Sequence, residues 1–585
     1  MKPETEWCLR RENHGASSIE TSALTCPLDR FVKSVSFSLA NSMFPLQDFI
    51  RTCRSRLFRR QAADSTGLDL SGGRLLAAAL VTRRVLMRSG IVNDKDVMIG
   101  VLLPPSVAAV LANVSIGLAG KVVVNLNYTF TNERIQKCLD ECAITHVLTS
   151  RQFLKRRPYE VEPQLVCMED LMQQATWWDK SLSGLMAYCL PSTLLDRVLG
   201  LHCTSANDLM AVLFTSGTTA DPKGVMLSHG NMAASIDAIR QRYRVRPDDV
   251  VLGILPIFHA FGFSATLWLP FGLNMTAVYH FDPFGTKAIA KLAKKYLATV
   301  LFATPTFLKV YQRRCPANAF PALDLAIVGG ERLEPSTANS FAEKFGVTPA
   351  EGYGTTELSP WASVNVPVHR SFAPSQLFDR KGTVGRPVAG VQIRMVDPET
   401  RAEVPVGEQG LLLVRGANVM LGYLNLPDKT AEEMLDGWYN TGDFASVDED
   451  GFVTIRGRQH RFSKIGGEIV PHAAVEEAIE ELLRTNNANE ERQVAITAIP
   501  DLNRGERLVV VHTPWRNTSA ADITRKLSEA NDLPAVWIPK PVDFIEVETI
   551  PLTSLGKLDL GELRRIAVQR DVDMNSIHIH APENS

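Results

Sequence analysis

Between Leu213 and Met232 the chain reads LFTSGTTADPKGVMLSHGNM, which crowds hydroxyls, glycines and one lysine into the loop Thr215 to Gly224. Thr215, Ser216, Gly217, Thr218, Thr219 and Lys223 offer closely spaced donors and a cation with little side-chain bulk, a set that suits the oxygens of a phosphate chain. Taken alone, an ordinary Gly-Thr surface loop fits equally well. The nucleotide-binding pattern G-x-x-x-x-G-K-[ST] is absent, because Gly224 follows Lys223. A second stretch, EGYGTTE, offers the flat ring of Tyr353 for a purine, the hydroxyls of Thr355 and Thr356 as donors, and Glu357 as a hard oxygen ligand for Mg²⁺ beside phosphate. In isolation it also reads as a tight turn. Asp443 in YNTGDF can accept hydrogen bonds from two neighbouring sugar hydroxyls, and Arg458 in IRGRQ can donate a fork to the same sugar. A surface salt bridge is the plainer reading of that pair. Lys557 in PLTSLGK is a point charge on a Gly-containing turn, and FSKIGGEIV joins Lys464 to Gly466 and Gly467, where backbone can come close to a slender guest.

These residues need elements to hold them. DLMAVLF reads as a buried strand and LSHGNMAASIDAIRQRY as a helix capped by Ser228, which makes Thr215 to Gly224 a strand-to-helix loop. From about Val97 to Phe345, apolar runs such as AITHVLTS, VVLGILPIF and ATVLFATP alternate with helical patterns, the rhythm of an α/β architecture with layered, largely parallel sheets. The run from Val97 to Asn127, broken by Pro104, Pro105 and Lys121, reads as strand, helix, strand rather than a membrane span. After GTVGRPVAG, short strands and Gly turns indicate a small β-rich unit, and beyond Arg458 a separate small α+β domain is expected to move. The expected division is an N-terminal extension 1–48, a large domain 49–457, a mobile domain 458–570 and a disordered tail 571–585.

A formal net charge of -2 gives no overall attraction to nucleic acid. The basic run RTCRSRLFRR, Arg51 to Arg60, could meet an acidic carrier protein or anionic lipid, though a solvated helix face is the commoner origin of such a run. Nine cysteines without metal-ligand spacing fit a reducing compartment, and the start lacks a continuous apolar signal region, so a cytoplasmic protein with peripheral membrane contact at most is expected.

Taken in order with PIFHAFGF, VGGERL and EGYGTTELSP, these stretches resemble the adenylate-forming, AMP-binding ligase superfamily over roughly Phe49 to Ala567. The nearest resemblance is to bacterial fatty acyl-acyl carrier protein synthetases and long-chain fatty acid-CoA ligases, including the ligase half of the bifunctional acyltransferase enzymes. It implies ATP and Mg²⁺, activation of a fatty acid to acyl-AMP with release of pyrophosphate, and transfer to the thiol of CoA or holo-acyl carrier protein. By the same resemblance Tyr353 stacks on adenine, with Gly330, Glu331, Gly354, Thr355 and Thr356 around the nucleotide. Thr215 and Glu357 hold the metal, Asp443 and Arg458 grip the ribose, and Lys557 swings in for the first half-reaction. Lys464, Gly466 and Gly467 serve the second, His460 stands at the hinge, and His259, Phe261 and Gly352 line the acyl and pantetheine path. His259 stands where amino-acid-activating relatives place an aspartate, which favours a fatty or aromatic acid; a core or gating histidine is the alternative. Ala220, His460 and the Leu558-Asp559 pair depart from the family pattern. A non-catalytic relative that binds nucleotide or acyl groups, and an adenylation-only enzyme, are the other readings.

Overall fold

The computed structural model describes residues 43–92, 97–215, 222–372, 379–458, 461–465, 468–484, 493–501, 504–515, 518–530, 533–552 and 558–579. Short, continuously apolar strands such as Val122–Asn125, Thr276–Tyr279 and Val300–Ala303 are buried along their whole length. That pattern belongs to parallel sheets covered on both faces. They assemble into two large sheets. One has nine strands in the order Arg386–Pro387, Trp361–Val364, Ala350–Gly354, Leu325–Val328, Val300–Ala303, Val250–Gly253, Thr276–Tyr279, Arg60–Asp64 and Asp69–Ser71. The six from Ala350–Gly354 to Arg60–Asp64 run parallel. The other has seven strands: Gly422–Tyr423, Lys223–Ser228, Leu209–Thr215, Val122–Asn125, Met98–Val101, His146–Thr149 and Gln164–Cys167, the last five parallel.

The helix Val107–Leu118 packs on strands of both sheets, which explains why it is apolar nearly all round. Its one buried amide, Asn113, exchanges hydrogen bonds of 2.8 and 3.1 Å with Asn125, so neither polar group goes unmet. The strand, helix, strand expectation for this region holds.

The phosphate-type loop is positioned differently from expectation. Leu209–Thr215 is followed by an antiparallel strand, Lys223–Ser228, and only then by the helix His229–Arg240. Thr215 and Lys223 are therefore cross-strand partners at the end of a hairpin rather than the two ends of a strand-to-helix loop. The apolar residues Val225, Met226 and Leu227 pair with Leu209–Thr215 as a strand, which takes in the end of the expected loop and the start of the expected helix. Ser228 caps the helix as expected, accepting from the Asn231 N–H at 3.0 Å. The Asn231 amide then donates to the carbonyls of Ala417 and Val419, which moors the strand Gly422–Tyr423 beside the hairpin.

A five-stranded sheet follows, built from Val391–Val396, Gly410–Gly416, Met434–Leu435, Trp438–Val447 and Val453–Arg458. Beyond it a further sheet, Phe462–Ile465, Glu468–Pro471, Val494–Asp501, Gly505–His512 and Phe544–Glu546, sorts alternate residues to two cores. Ile496 and Val510 face Val475, Ile479, Ile523 and Leu527, whereas Val509 and Val511 face Leu563 and Ala567. The helix Leu560–Ile579 continues through the first nine residues of the tail expected to fray, since no Gly or Pro interrupts Glu562 to Ile579.

The basic run is not one solvated face. Arg56 is buried and donates to Asn274, Thr276 and the Pro247 carbonyl, while Arg60 pairs with Asp69, leaving Arg51 and Arg59 exposed. Among the described residues Cys53, Cys138, Cys142, Cys167, Cys189 and Cys315 are free thiols, and Cys138 and Cys142 are buried, as expected for structural thiols.

Candidate active site

The strand Ala350–Gly354 ends in a close turn that reverses into Trp361–Val364. A Cβ on Gly354 would lie 1.5 Å from the Pro360 carbonyl oxygen, so the glycine after Tyr353 is a steric requirement of the turn. The turn projects Tyr353 toward the five-stranded sheet, where its hydroxyl donates to Asp443 Oδ2. Asp443 and Arg458 are cross-strand neighbours, and Arg458 Nε donates to Asp443 Oδ1 at 3.0 Å. The carboxylate is not a surface group, because the Asp443 side chain is only 2% exposed while the Arg458 side chain beside it is 54% exposed. The Asp443 charge holds the Arg458 pKa above its ordinary value. Burial first, then the Asp443 charge, pushes the Tyr353 phenol well up, so it stays a neutral donor.

Glu357 follows on the one-turn helix Thr356–Leu358 and accepts from the Tyr423 hydroxyl at 3.0 Å through Oε1. Lys223 lies over the Tyr423 ring, 5.0 Å from its centroid. Tyr423 thus ties the hairpin bearing Thr215 and Lys223 to the turn bearing Glu357. Sequence reasoning missed it: LGYLN carries no motif, and only the need of a buried phenol for a polar partner could have hinted at its place.

Thr355 Oγ1 is buried without a hydrogen-bond partner, as is Glu331 Oε1, while Glu331 Oε2 accepts from Thr306 Oγ1 at 2.7 Å. A buried hydroxyl left open two residues before Glu357 can donate to a guest rich in acceptor oxygens. Among the described residues no group of three or more His, Cys, Asp or Glu side chains could hold a metal alone. Glu357 and Thr215 would fit Mg²⁺, which typically takes one or two protein oxygens and completes its shell with phosphate and water.

His259 Nδ1 accepts from the Phe261 N–H at 3.3 Å. Both residues line a cavity with Leu255, Pro256, Thr304, Gly329 and Gly330. Phe261 packs edge-on against Trp361 and Phe302, with centroids 5.4 and 6.0 Å away. The Gly352 carbonyl would lie 3.0 Å from a Cβ on Gly329, so Gly352 borders the same space. Of the downstream stretch that could have lined an acyl tunnel, Phe263, Trp268 and Phe271 are fully buried in the core. Ser216, Gly217, Thr218, Thr219, His460, Gly466, Gly467 and Lys557 lie outside the described residues. Lys464 belongs to the strand Phe462–Ile465.

Glu351, two residues before Tyr353, accepts from the Leu333 N–H at 3.1 Å. Burial raises its carboxyl from 4.5 to about 7, against the lowering effects of that hydrogen bond and of Arg332. The folded state therefore binds the Glu351 proton more tightly than the unfolded chain, and this contribution to stability is complete below pH 4.5 and lost as pH rises through 7. The melting-temperature advantage of wild type over Glu351→Gln should shrink steadily across that window. A constant difference would show that the carboxyl titrates normally.

A model of the AMP-binding enzyme family matches residues 53–424. The long-chain-fatty-acid–CoA ligase of Salmonella typhimurium is 28% identical over 507 residues, covering 82% of this chain and 87% of that protein. The medium-chain fatty-acid–CoA ligase of Escherichia coli is 29% identical over 461 residues, covering 77% and 78%. Among solved structures, ATP-bound MatB from Rhodopseudomonas palustris superposes with a TM-score of 0.72 at 25% identity, over 91% of this chain and all of that one.

Proposed function

The chain belongs to the AMP-binding enzyme family, and on that premise we propose that it activates a fatty acid with ATP and passes the acyl group to a phosphopantetheine thiol. The observation that carries this reading is the meeting of Asp443, Arg458 and Tyr353 on one side with Glu357, Tyr423 and Lys223 on the other.

ATP lies with its adenine against Tyr353 and between Gly330 and Gly354, and with its ribose hydroxyls donating to Asp443. Arg458 is held charged beside the same sugar. Thr215, Lys223 and the open Thr355 hydroxyl meet the phosphates, together with Ser216, Gly217, Thr218 and Thr219. Mg²⁺, held by Glu357 and Thr215, neutralises phosphate charge when bound. The fatty acid enters beside His259 and Phe261, and its carboxylate oxygen attacks the α-phosphorus. A new O–P bond forms, the bond from that phosphorus to the bridging oxygen breaks, and pyrophosphate leaves with the electron pair. The Lys557 cation offsets the charge gathering at that centre, the kind of electrostatic help on which phosphoryl-type transfers depend. In the second step a thiolate attacks the acyl carbon, the C–O bond breaks, and AMP departs with its electrons. The unit beyond Arg458 turns about His460 to bring Lys464, Gly466 and Gly467 to the thiol. A cytoplasmic setting, where ATP and CoA are found, suits this chemistry.

CoA is the acceptor favoured by the names of the relatives. The test is a product assay with fatty acids of several lengths, Mg-ATP, and either CoA or holo-acyl carrier protein. Acyl-CoA is expected; thioester with carrier protein alone would move the acceptor, and acyl-AMP accumulating with both would leave an adenylation-only enzyme.

A further inference from the structure

The helix Trp177–Cys189 is inside out. The side it buries carries Asp179, Ser183 and Ala187, spaced four apart, whereas its exposed side carries Trp177, Trp178, Leu182 and Leu185. Trp178 is 72% exposed and Trp177 is 68% exposed. The inversion is built in. Asp179 accepts from Arg84 at 3.2 Å and from Arg88, both on the helix Gly72–Arg88, and from its own capping Thr176. Burial works to raise the Asp179 carboxyl, but these hydrogen bonds outweigh it and hold the group below the usual range. Turning the helix to hide the tryptophans would break the contacts with Arg84 and Arg88.

The apolar face continues beyond the helix. Next along the chain, Ser192–Val198 exposes Leu194 and Val198 four residues apart. The turn after the helix Pro45–Ser55 adds Phe58, 86% exposed, which lies 6.0 Å from the Tyr188 ring. Arg54 ties that helix to the Ala187 carbonyl at 2.7 Å, so the pieces form one surface. A 13-residue helix alone gives it a length of about 20 Å.

We propose that this face docks on an anionic lipid surface. Its charges have the matching sign: from Trp177 to Leu201 the only carboxylates are Asp179 and Asp196, both buried, while Lys180 and Arg197 are exposed, as are Arg51 and Arg59 nearby. Indole rings, leucines and a cationic rim are the composition of a helix lying in a bilayer interface. Contact is peripheral, since no helix among the described residues is long and apolar enough to cross a membrane. The inference stands apart from the ligase reading, because none of these residues lines the candidate active site.

The full-length protein is sedimented with vesicles of phosphatidylcholine mixed with phosphatidylglycerol, and with phosphatidylcholine alone. Wild type should prefer the anionic vesicles and lose that preference in high salt. Trp177→Ser combined with Trp178→Ser should lower partitioning at least ~10-fold on both. Lys180→Glu combined with Arg197→Glu should weaken only the anionic, salt-sensitive part. Both variants should keep the wild-type far-UV circular dichroism spectrum and a cooperative melting curve, which certifies their folding independently of the ligase activity. Absence of vesicle binding, or equal binding by the variants, would overturn the proposal. It would also fall if wild type proved to be a dimer that the Trp variant dissociates without vesicle binding, or if Trp177 and Trp178 resisted oxidative footprinting in vesicle-free protein, which would mean the chain covers them itself.

Discussion

Asp443→Ala is expected to lower kcat/KM for ATP by roughly 10²- to 10³-fold while leaving the KM for the fatty acid near its wild-type value. Asp443 is a buried carboxylate that receives Arg458 and Tyr353 at once. Removing it takes away the acceptor for the ribose and leaves a cation and a buried phenol without their partner. Hydrogen bonds to a charged group contribute about 1.5–3 kcal/mol each, so losing two costs about 3–6 kcal/mol, and the lower part of that range corresponds to an effect of this size. Asp443→Asn keeps the volume and an acceptor oxygen but not the charge, and should fall between. Steady-state kinetics with ATP and acid varied separately, on protein whose melting curve remains cooperative, read the split. An unchanged ATP dependence in Asp443→Ala would remove the ribose from this site.

The second large effect is expected at Lys557 and divides the two half-reactions. Lys557→Ala should slow pyrophosphate release by roughly 10²- to 10³-fold, the scale seen when one preorganised electrostatic donor is lost, yet spare acyl transfer from supplied acyl-AMP. Gly467→Leu should do the opposite, because its side chain would stand in the path of the pantetheine arm. His460→Pro fixes the backbone at the hinge and should spare only the half-reaction served by the orientation it traps. Equal losses in both steps for Lys557→Ala and for Gly467→Leu would rule out two alternating faces.

How far the sequence carries the reader differs from element to element. The strands were legible because parallel strands buried on both faces must be continuously apolar, as VVVN and VLFA are. That Asp443 and Arg458 pair was legible, since a carboxylate and a guanidinium attract each other; the register that opposes them across two strands, and the burial of Asp443, were not. Three features lay beyond pattern reading for separate physical reasons. The strand Lys223–Ser228 lies between the loop read as Thr215 to Gly224 and the helix read from Leu227, and its apolar run is too short to announce a strand of its own. Tyr423 is brought to Glu357 by a two-residue strand whose partner lies about 200 residues upstream, a pairing no local signal encodes. Arg56 belongs to a run that local charge marks as solvated, yet Asn274, Thr276 and the Pro247 carbonyl satisfy all its buried nitrogens.

The central claim is that this site joins a carboxylate to the α-phosphorus of ATP before any thiol takes part. It is tested most directly by incubating the purified protein with Mg-ATP and a fatty acid in the absence of thiol, with ATP labelled at the α-phosphate, and resolving the products. The account predicts labelled acyl-AMP together with an equal amount of pyrophosphate, both suppressed in Lys557→Ala. Formation of ADP and inorganic phosphate in their place would contradict it.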